Sequence, residues 1–212
     1  MEAKKAKLGV LISGSGTNLQ AIIDACKEPS YPATVAVVIS SKADAYGLVR
    51  AAANNIPHYA VLRSNFASEE EFNLAILNKL QEHQVDLVVL AGYMRLVGKS
   101  ILNAYPQAVI NLHPALLPAF PGAHAVEDAL NYGVKITGIT IHFADEQYDT
   151  GPIIMQEIVP IHQNDTKESL LERIHKVEHR YLPYAIKLWA TNRLKVEGRK
   201  VLILPRNHAV RP

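Results

Sequence analysis

Cysteine and long apolar segments are scarce in this sequence. Its one cysteine, Cys26, cannot form a disulfide within the chain, which excludes a small secreted scaffold held together by disulfides. Cys26 falls in the apolar periodicity of a predicted helix and is interpreted as a small buried hydrophobe. No segment approaches the roughly 20 apolar residues that cross a bilayer, and the apolar run at residues 8–12 is shorter than the roughly 7–15 residues of a signal peptide. We therefore expect a cytoplasmic protein without a membrane partner.

An excess of either charge is also missing. The 22 basic and 20 acidic residues leave a formal net charge of +2, which offers no general electrostatic attraction to nucleic acids. We therefore expect no nucleic-acid partner, and any anion site has to be local. At 212 residues and 49% hydrophobic composition, the chain has the size of one large domain with a substantial core. We assign residues 1–205 to this domain and residues 206–212 to a loose C-terminal tail.

Short apolar runs and amphipathic stretches alternate along the chain. The apolar runs predict strands at residues 8–12, 34–39, 57–62, 86–91, 108–112, 136–143 and 152–161, followed by a hairpin at 193–204. The amphipathic stretches predict helices at residues 18–27, 43–53, 68–83 and 125–132, and a long helix from 165 onward. Continuous apolar strands are typical of parallel sheets covered by helices on both faces. The pattern predicts an open, mostly parallel α/β sheet.

Two details concern the long helix near the C-terminus. Asp165 and Glu168 have the spacing of a capping box that opens the helix. Pro183 falls inside it and is predicted to bend or interrupt it. In open α/β sheets, ligands bind beyond the carboxyl ends of the strands. Polar residues at those ends are therefore the candidates for function.

The first predicted strand leads into a glycine loop, Ser-Gly-Ser-Gly-Thr-Asn at residues 13–18. Two glycines let the backbone approach an anion, and the start of a helix offers unpaired N–H groups. The loop does not match a dinucleotide fingerprint, because position 19 is Leu and no acidic residue ends the second strand. Two interpretations stay open: a phosphate cradle made by Gly16, Thr17 and Asn18, or a tight turn in which Thr17 or Asn18 caps the helix.

Polar residues interrupt the apolar strand at 108–112. Asn111 and His113 are two positions apart, so their side chains point to the same face of a strand. An amide can steady a developing oxyanion, and an imidazole can exchange a proton near neutral pH, which suits acyl transfer. The alternative is a strand end whose polar groups only cap the following loop. That loop, residues 113–122, contains three prolines and is stiff enough to shape a site.

A second loop, after the strand at 136–143, carries acidic residues. Asp149 precedes a Thr-Gly-Pro turn and is close enough in the predicted topology to reach the imidazole and favour its protonated form. Spacing alone makes Asp145 and Glu146 equally eligible for this role.

Six segments together resemble the phosphoribosylglycinamide formyltransferases, the folate-dependent enzymes of purine synthesis. They are Leu-Ile-Ser-Gly-Ser-Gly-Thr-Asn-Leu-Gln (11–20), Val-Val-Leu-Ala-Gly-Tyr-Met-Arg (88–95), Asn-Leu-His-Pro-Ala-Leu-Leu-Pro (111–118), Phe-Pro-Gly-Ala-His (120–124), Thr-Gly-Ile-Thr-Ile-His (137–142) and Asp-Thr-Gly-Pro-Ile (149–153). The resemblance runs through nearly the whole chain. It implies a single Rossmann-like domain with a mostly parallel twisted sheet flanked by helices and antiparallel strands toward the C-terminal part. It also implies 10-formyltetrahydrofolate and glycinamide ribonucleotide as substrates of a monomer or homodimer.

The resemblance also assigns roles to residues. It implies that His113 transfers the proton, that Asn111 contacts the transition state and that Asp149, among the loop acids, supports the histidine in its protonated form. It implies a cis bond between Leu117 and Pro118. Implied ribonucleotide and phosphate contacts are Gly16, Thr17, Asn18, His175, Lys176, Val177 and Glu178. Implied folate contacts are Met94, Arg95, Leu96, Val97, Asn111, Ala144, Asp145, Glu146, Gln147, Tyr148 and Asp149.

One position departs from the family pattern. Where some relatives carry a basic residue near the glutamate tail of the folate, this chain has Glu69; Arg63 or another cation is a candidate substitute, and the contact to the tail is left unassigned. No metal site is expected, because His175 and His179 have zinc-ligand spacing but no third ligand. His124 and His142 are secondary site candidates, and the other histidines are interpreted as surface or packing residues.

Three other functions compete with this one. A hydrolase of 10-formyltetrahydrofolate would share the catalytic centre but use water as the acceptor. A methionyl-tRNA formyltransferase would need a basic surface for tRNA and a different loop at 120–124. A non-catalytic nucleotide-binding module would explain the glycine loop but not the combination of Asn111, His113 and Asp149.

Overall fold

The computed structural model describes residues 4–205, and within them nine strands form one sheet with the order β3-β2-β1-β4-β5-β6-β7-β9-β8. The first five strands are parallel to one another; β6 is antiparallel to both β5 and β7, and β8 is antiparallel to β9. The strands are β1 (Ala6–Ile12), β2 (Ala33–Ser40), β3 (His58–Ala60), β4 (Leu87–Leu90), β5 (Val109–His113), β6 (Ile136–Phe143), β7 (Ile153–Pro160), β8 (Leu194–Glu197) and β9 (Lys200–Ile203). This is the predicted fold class.

Helices connect and cover these strands. They are α1 (Thr17–Lys27), α2 (Tyr46–Ala53), α3 (Glu69–Glu82), α4 (Lys99–Ala104), α5 (Ala125–Tyr132) and α6 (Lys167–Ala190), with a 3-10 turn at Arg63–Asn65. The bounds predicted for α5 and β6 are confirmed. The helix α4 was not predicted, since six residues are too few to show a periodicity.

The central strands are apolar along their whole length because helices lie against both faces. All four residues of β4 are buried, and five of the seven in β1 are. In β1, Gly9 leaves room for the α3 residue Leu80, which a Cβ at position 9 would overlap. The core therefore runs through the parallel half of the sheet and continues into β6, β7 and α6, and it fixes the positions of the strand ends.

The switch from parallel to antiparallel pairing occurs at β5. On one side Asn111 is in register with Leu90 of β4; on the other it is in register with His142 of β6, and His113 is in register with Thr140. Residues in register across two antiparallel strands have neighbouring side chains. This pairing places the polar end of β5 beside a second histidine.

The prediction of how α6 begins was wrong, and of the two outcomes predicted at Pro183, a bend or an interruption, the interruption does not occur. Thr166, not Asp165, is the N-cap, and its capping-box partner is Ser169. Asp165 is engaged elsewhere, because its carboxylate accepts hydrogen bonds from Arg173 at 2.8 and 2.9 Å. The helix also continues through Pro183 without interruption; residues around Pro183 are buried, and its carbonyl accepts a hydrogen bond from the Tyr31 hydroxyl at 2.7 Å.

The predicted interpretation of Cys26 is supported. Its side chain is partly buried against the core, and burial raises the pKa of the thiol to about 11, which keeps it protonated and unreactive. The hairpin predicted at 193–204 is also confirmed, and its strand β9 extends the sheet by pairing with β7. The predicted loose tail at 206–212 lies outside the described residues.

Candidate active site

A cavity of about 530 Å³ opens at the carboxyl ends of β4 and β5, where the sheet changes from parallel to antiparallel pairing. Its volume is in the range of roughly 300–1,000 Å³ that small-molecule sites occupy. Leu90 and Asn111 lie at its floor, and the segment after β6 and the helix α6 form two of its walls. The cavity is thus at the position that strand topology predicts for a ligand site.

Asn111, His142 and Asp149 are joined by hydrogen bonds at the cavity floor. The Asn111 amide donates to Asp149 Oδ1 at 3.2 Å and contacts His142 Nε2 at 3.0 Å. His142 Nδ1 lies 2.8 Å from the carbonyl oxygen of Phe143, a geometry that puts the proton of His142 on Nδ1 and leaves Nε2 as the acceptor. Both N–H groups of the Asn111 amide are therefore engaged in the free protein.

His113 and Asp149 form a buried pair. Their side chains are 5% and 7% exposed, and His113 Nδ1 lies 3.4 Å from Asp149 Oδ2. On its other side, His113 Nε2 is 2.8 Å from the carbonyl oxygen of Phe120. The same oxygen of Asp149 accepts a hydrogen bond from the N–H of Gly122 at 2.8 Å. Of the three acids eligible by spacing, the structure brings Asp149 to the imidazole.

Burial and charge act in opposite directions on the pKa values of this pair. Burial lowers the pKa of His113, and it outweighs the Asp149 carboxylate and the Phe120 carbonyl, which raise it. For Asp149, burial raises the pKa, but the nearby His142 ring, the Gly122 N–H and His113 together bring it below its usual value. Asp149 thus favours the imidazolium, as predicted, while burial of the ring opposes it.

The loop that carries Asp149 is held in place by backbone features. Asp149 itself has φ +58°, a left-handed conformation. Two residues later, Gly151 lies so close to the carbonyl of Phe143 that a Cβ would overlap it. The contacts from Phe120 and Gly122 were not anticipated, since backbone groups carry no signature in the sequence; the Pro-Gly pair at 121–122 was the only signal of a turn there.

A second buried carboxyl group lies farther along the cavity. Glu178 of α6 is 5% exposed, and its Oε2 accepts a hydrogen bond from the Asn18 amide at 2.9 Å. Burial raises the pKa of Glu178, against the effects of Asn18 and of His175, whose Nε2 is 4.0 Å away. The Oδ1 atom of Asn18 is buried without a partner in the described part of the chain. These groups suit a ligand that offers hydroxyl or amine hydrogens.

The structure divides the implied ribonucleotide contacts into two groups. Asn18, His175 and Glu178 line the cavity, whereas Lys176 and Val177 do not. On a helix, residues 175 and 178 share one face, and the two between them point away. Accordingly, Lys176 forms an exposed ion pair with Glu172 at 3.0 Å.

Gly16 begins α1 without a side-chain cap, in a left-handed conformation with φ +70°. The interpretation in which Thr17 or Asn18 caps the helix is therefore wrong. Gly16 and Thr17 do not line the cavity, but they adjoin Asn18, which does. Their backbone N–H groups stay candidates for an anion.

Most of the implied folate contacts share one wall of the cavity. They are Met94, Arg95, Leu96, Val97, Ala144, Asp145, Gln147, Tyr148 and Asp149, with Asn111 at the floor. Glu146 is not among them, and it pairs with Lys99 at the surface at 2.9 Å. A smaller cavity of about 320 Å³ adjoins this wall and includes Glu69 and Arg95.

Glu69 forms ion pairs with two arginines of the chain itself. Its Oε1 accepts hydrogen bonds from Arg63 at 2.7 Å and from Arg95 at 2.8 Å, and the Glu69 side chain is 60% exposed. Arg63 lines neither cavity. The cation that borders the cavity here is therefore Arg95, with Glu69 beside it.

The implied cis bond between Leu117 and Pro118 is present. Of the secondary candidates, His142 belongs to the site, and His124 lines the cavity from an exposed position next to Glu127. Residues 4–205 contain no cluster of three or more His, Cys, Asp or Glu side chains arranged to hold a metal ion. No helix in this range is both long and apolar enough to cross a membrane.

Comparison with known proteins gives a consistent result. The formyl transferase family model matches residues 6–186. The chain is 45% identical to the phosphoribosylglycinamide formyltransferase of Bacillus subtilis, over 85% of this chain and 93% of that one. It superposes on a crystal structure of glycinamide ribonucleotide transformylase 1 from Symbiobacterium toebii with a TM-score of 0.93 and 51% identity, covering 95% of each.

A third relative is much longer than this chain. The chain is 45% identical to a trifunctional purine biosynthetic protein of Chironomus tentans over 92% of its own length, but it spans only 14% of that protein.

Proposed function

The chain belongs to the formyl transferase family, and on that premise we propose that it transfers the formyl group of 10-formyltetrahydrofolate to the amine of glycinamide ribonucleotide. The products are formylglycinamide ribonucleotide and tetrahydrofolate. The observation that carries the proposal is the convergence of Asn111, His113 and Asp149 in one cavity of about 530 Å³.

In the proposed reaction, the amine attacks the formyl carbon and produces a tetrahedral intermediate with a negatively charged oxygen. The Asn111 amide exchanges one of its present acceptors for this oxygen, and the exchange favours the transition state over the bound substrate. The C–N bond to the folate then breaks, and the formyl group remains on the acceptor.

His113 moves the proton. Burial lowers the pKa of His113 and so favours the neutral imidazole, which can accept the proton that the attacking amine loses. The resulting imidazolium is stabilised by the Asp149 carboxylate and delivers the proton to the departing folate nitrogen. For this, Nε2 gives up its hydrogen bond to the Phe120 carbonyl, the proton of the neutral imidazole lies on Nδ1 facing Asp149, and the free Nε2 faces the substrate.

The two ends of the cavity support the assignment of the two substrates. The Asn18 and Glu178 end offers the unpartnered polar atoms that hydroxyl groups of a ribonucleotide require, and it adjoins the N–H groups of Gly16 and Thr17 for the phosphate. The opposite wall, with Met94, suits the flat and largely apolar folate. We assign the activity to residues 1–205 and place the enzyme in the cytoplasm; its occurrence as a monomer or homodimer stays a prediction.

The test is to measure tetrahydrofolate formation with and without glycinamide ribonucleotide. Product that forms only when the ribonucleotide is present supports the proposal. Equal rates in both cases would assign the chain to the hydrolases, and transfer to methionyl-tRNA instead would assign it to the tRNA-modifying enzymes. Absence of product under all these conditions would leave a binding module.

A further inference from the structure

The glycine loop before α1 packs against α2, and residues of α2 donate hydrogen bonds to its carbonyl groups. The N–H of Gly47 donates to the carbonyl of Gly14 at 3.1 Å, and Arg50 Nε donates to the carbonyl of Ser15 at 2.9 Å. The two backbones touch here, since a Cβ at Gly16 would lie 2.6 Å from the Cα of Gly47. The orientation of the loop is therefore set by α2.

These two contacts determine where the loop N–H groups point. In a trans peptide the C=O and N–H of one plane point in opposite directions. Because the carbonyls of Gly14 and Ser15 face α2, the N–H groups of Ser15 and Gly16 face away from it. Among residues 4–205, the N–H groups of residues 15–18 donate to no acceptor. They form a set of free donors at the start of an 11-residue helix.

A buried polar atom next to the loop independently indicates a ligand. Asn18 is 9% exposed and lines the cavity, and its Oδ1 has no partner among residues 4–205. A buried acceptor without a partner destabilises the protein unless a ligand or water satisfies it. A ligand that satisfies Asn18 would bring its neighbouring groups against the loop.

Arg50 supplies positive charge at this place. Its Nη1 donates to Gln20 at 3.3 Å and its guanidinium lies 5.0 Å from the centre of the Tyr46 ring, but it forms no ion pair within the described residues. Its field reaches α6: the pKa of His179 is lowered by burial first, then by His175 and by Arg50. The charge of Arg50 is thus available to an anion at the loop.

We propose that Arg50 is a positioning residue for the phosphate of the substrate, because it turns the Ser15 carbonyl away from the phosphate and places a positive charge behind the loop. This inference rests on the proposed function, which provides a ribonucleotide as the phosphate ligand. Arg50 acts through the loop backbone, so it affects binding of the phosphate and not the chemical step.

The experiment compares Arg50→Gln and Arg50→Lys with Arg193→Gln. Arg193 is a matched control, since it is also half-buried and its Nε donates to a backbone carbonyl, that of Leu204, away from the cavity. The measurements are KM for glycinamide ribonucleotide, KM for 10-formyltetrahydrofolate, kcat, and the inhibition constants of inorganic phosphate and of glycinamide riboside, which has no phosphate.

We expect Arg50→Gln to raise the ribonucleotide KM and the phosphate inhibition constant by about tenfold, the usual weight of a hydrogen bond to a charged group. Arg50→Lys keeps the positive charge but loses the planar set of guanidinium N–H donors. The ribonucleotide KM and the phosphate inhibition constant should therefore rise by roughly threefold. The folate KM, kcat and the riboside constant should stay as in the wild type, and Arg193→Gln should change none of them.

An unchanged phosphate constant in Arg50→Gln would overturn the proposal. So would an equal rise in the riboside constant and the folate KM, which would mean that Arg50 only stabilises the loop. Failure of the proposed function would look different: the wild type would not formylate the ribonucleotide, while calorimetric titration with inorganic phosphate could still compare phosphate binding by the wild type and Arg50→Gln.

Discussion

Two carboxylates near the cavity make similar contacts but differ in their surroundings. Asp149 accepts hydrogen bonds from Asn111 and Gly122 and faces His113, and its side chain is 7% exposed. Glu69 bridges Arg63 and Arg95 with comparable distances but is 60% exposed. Water screens an exposed pair, so such pairs typically contribute about 0–1 kcal/mol. In a buried cluster the same contacts decide which groups are charged and how they are oriented.

The largest effect on activity is expected at the buried cluster of Asn111, His113 and Asp149. His113→Ala should lower kcat by about 10³-fold, as removal of a general acid–base group does, while both substrates still bind. Steady-state kinetics together with calorimetric titration of each substrate would measure this. His58→Ala, at an exposed histidine on β3, is the control and should behave as the wild type. Turnover that survives in His113→Ala would remove the basis for the catalytic assignment.

The next comparison concerns the loop that holds Asp149 in the buried cluster. Gly151→Ala forces a Cβ onto the Phe143 carbonyl, displaces the loop that carries Asp149 and should destabilise the fold by about 2–4 kcal/mol. Gly14→Ala is the matched control, because nothing lies within 4 Å of the added atom, and its stability should change little. Urea unfolding of both variants gives the free energies. Equal stability of the two would show that the loop tolerates displacement.

The buried cluster should also make the unfolding free energy depend on pH. Because the pKa of His113 is lowered in the folded protein, the unfolded chain binds more protons below a pH of about 6.5, so the stability should fall as pH drops below that value. The lowered pKa of Asp149 adds stability above its unfolded value of about 3.9, which is lost as pH falls through its folded pKa. Unfolding free energies measured from pH 8 to pH 4 should decline less steeply between pH 6.5 and pH 5 in His113→Asn. Parallel curves for variant and wild type would contradict the direction of the shift.

The smallest effect on stability is expected at the exposed ion pairs of Glu69 with Arg63 and Arg95. Glu69→Gln removes two ion pairs but should change the unfolding free energy by only about 0.5 kcal/mol or less, because both pairs are screened. Glu70→Gln, with the same change in charge at the adjacent position, is the control. If Glu69→Gln lost more than about 2 kcal/mol of unfolding free energy, the exposed ion pairs would not be weak, and exposure would not explain the difference between Glu69 and Asp149.

Sequence periodicity was sufficient for much of the fold. The continuous apolar strands predicted a parallel sheet, and the strongly periodic helix α5 was predicted with correct bounds. Local signals failed where a tertiary contact competed with them. Asp165 has the right spacing to cap α6, but Arg173 takes its carboxylate. Pro183 was predicted to bend or interrupt α6, but the helix continues through it, with Leu182, Pro183, Ala185 and Ile186 buried.

The sequence by itself determined the α/β fold and placed Asn111 and His113 on one face of a strand end. Resemblance to a family then selected Asp149 from three acids that spacing left equal. Only the tertiary structure decided that the Phe120 carbonyl and the Gly122 N–H complete the cluster and that burial lowers the pKa of His113. The reason is physical: strand periodicity is local in the chain, whereas burial and backbone contacts depend on segments that meet only when the sheet is assembled.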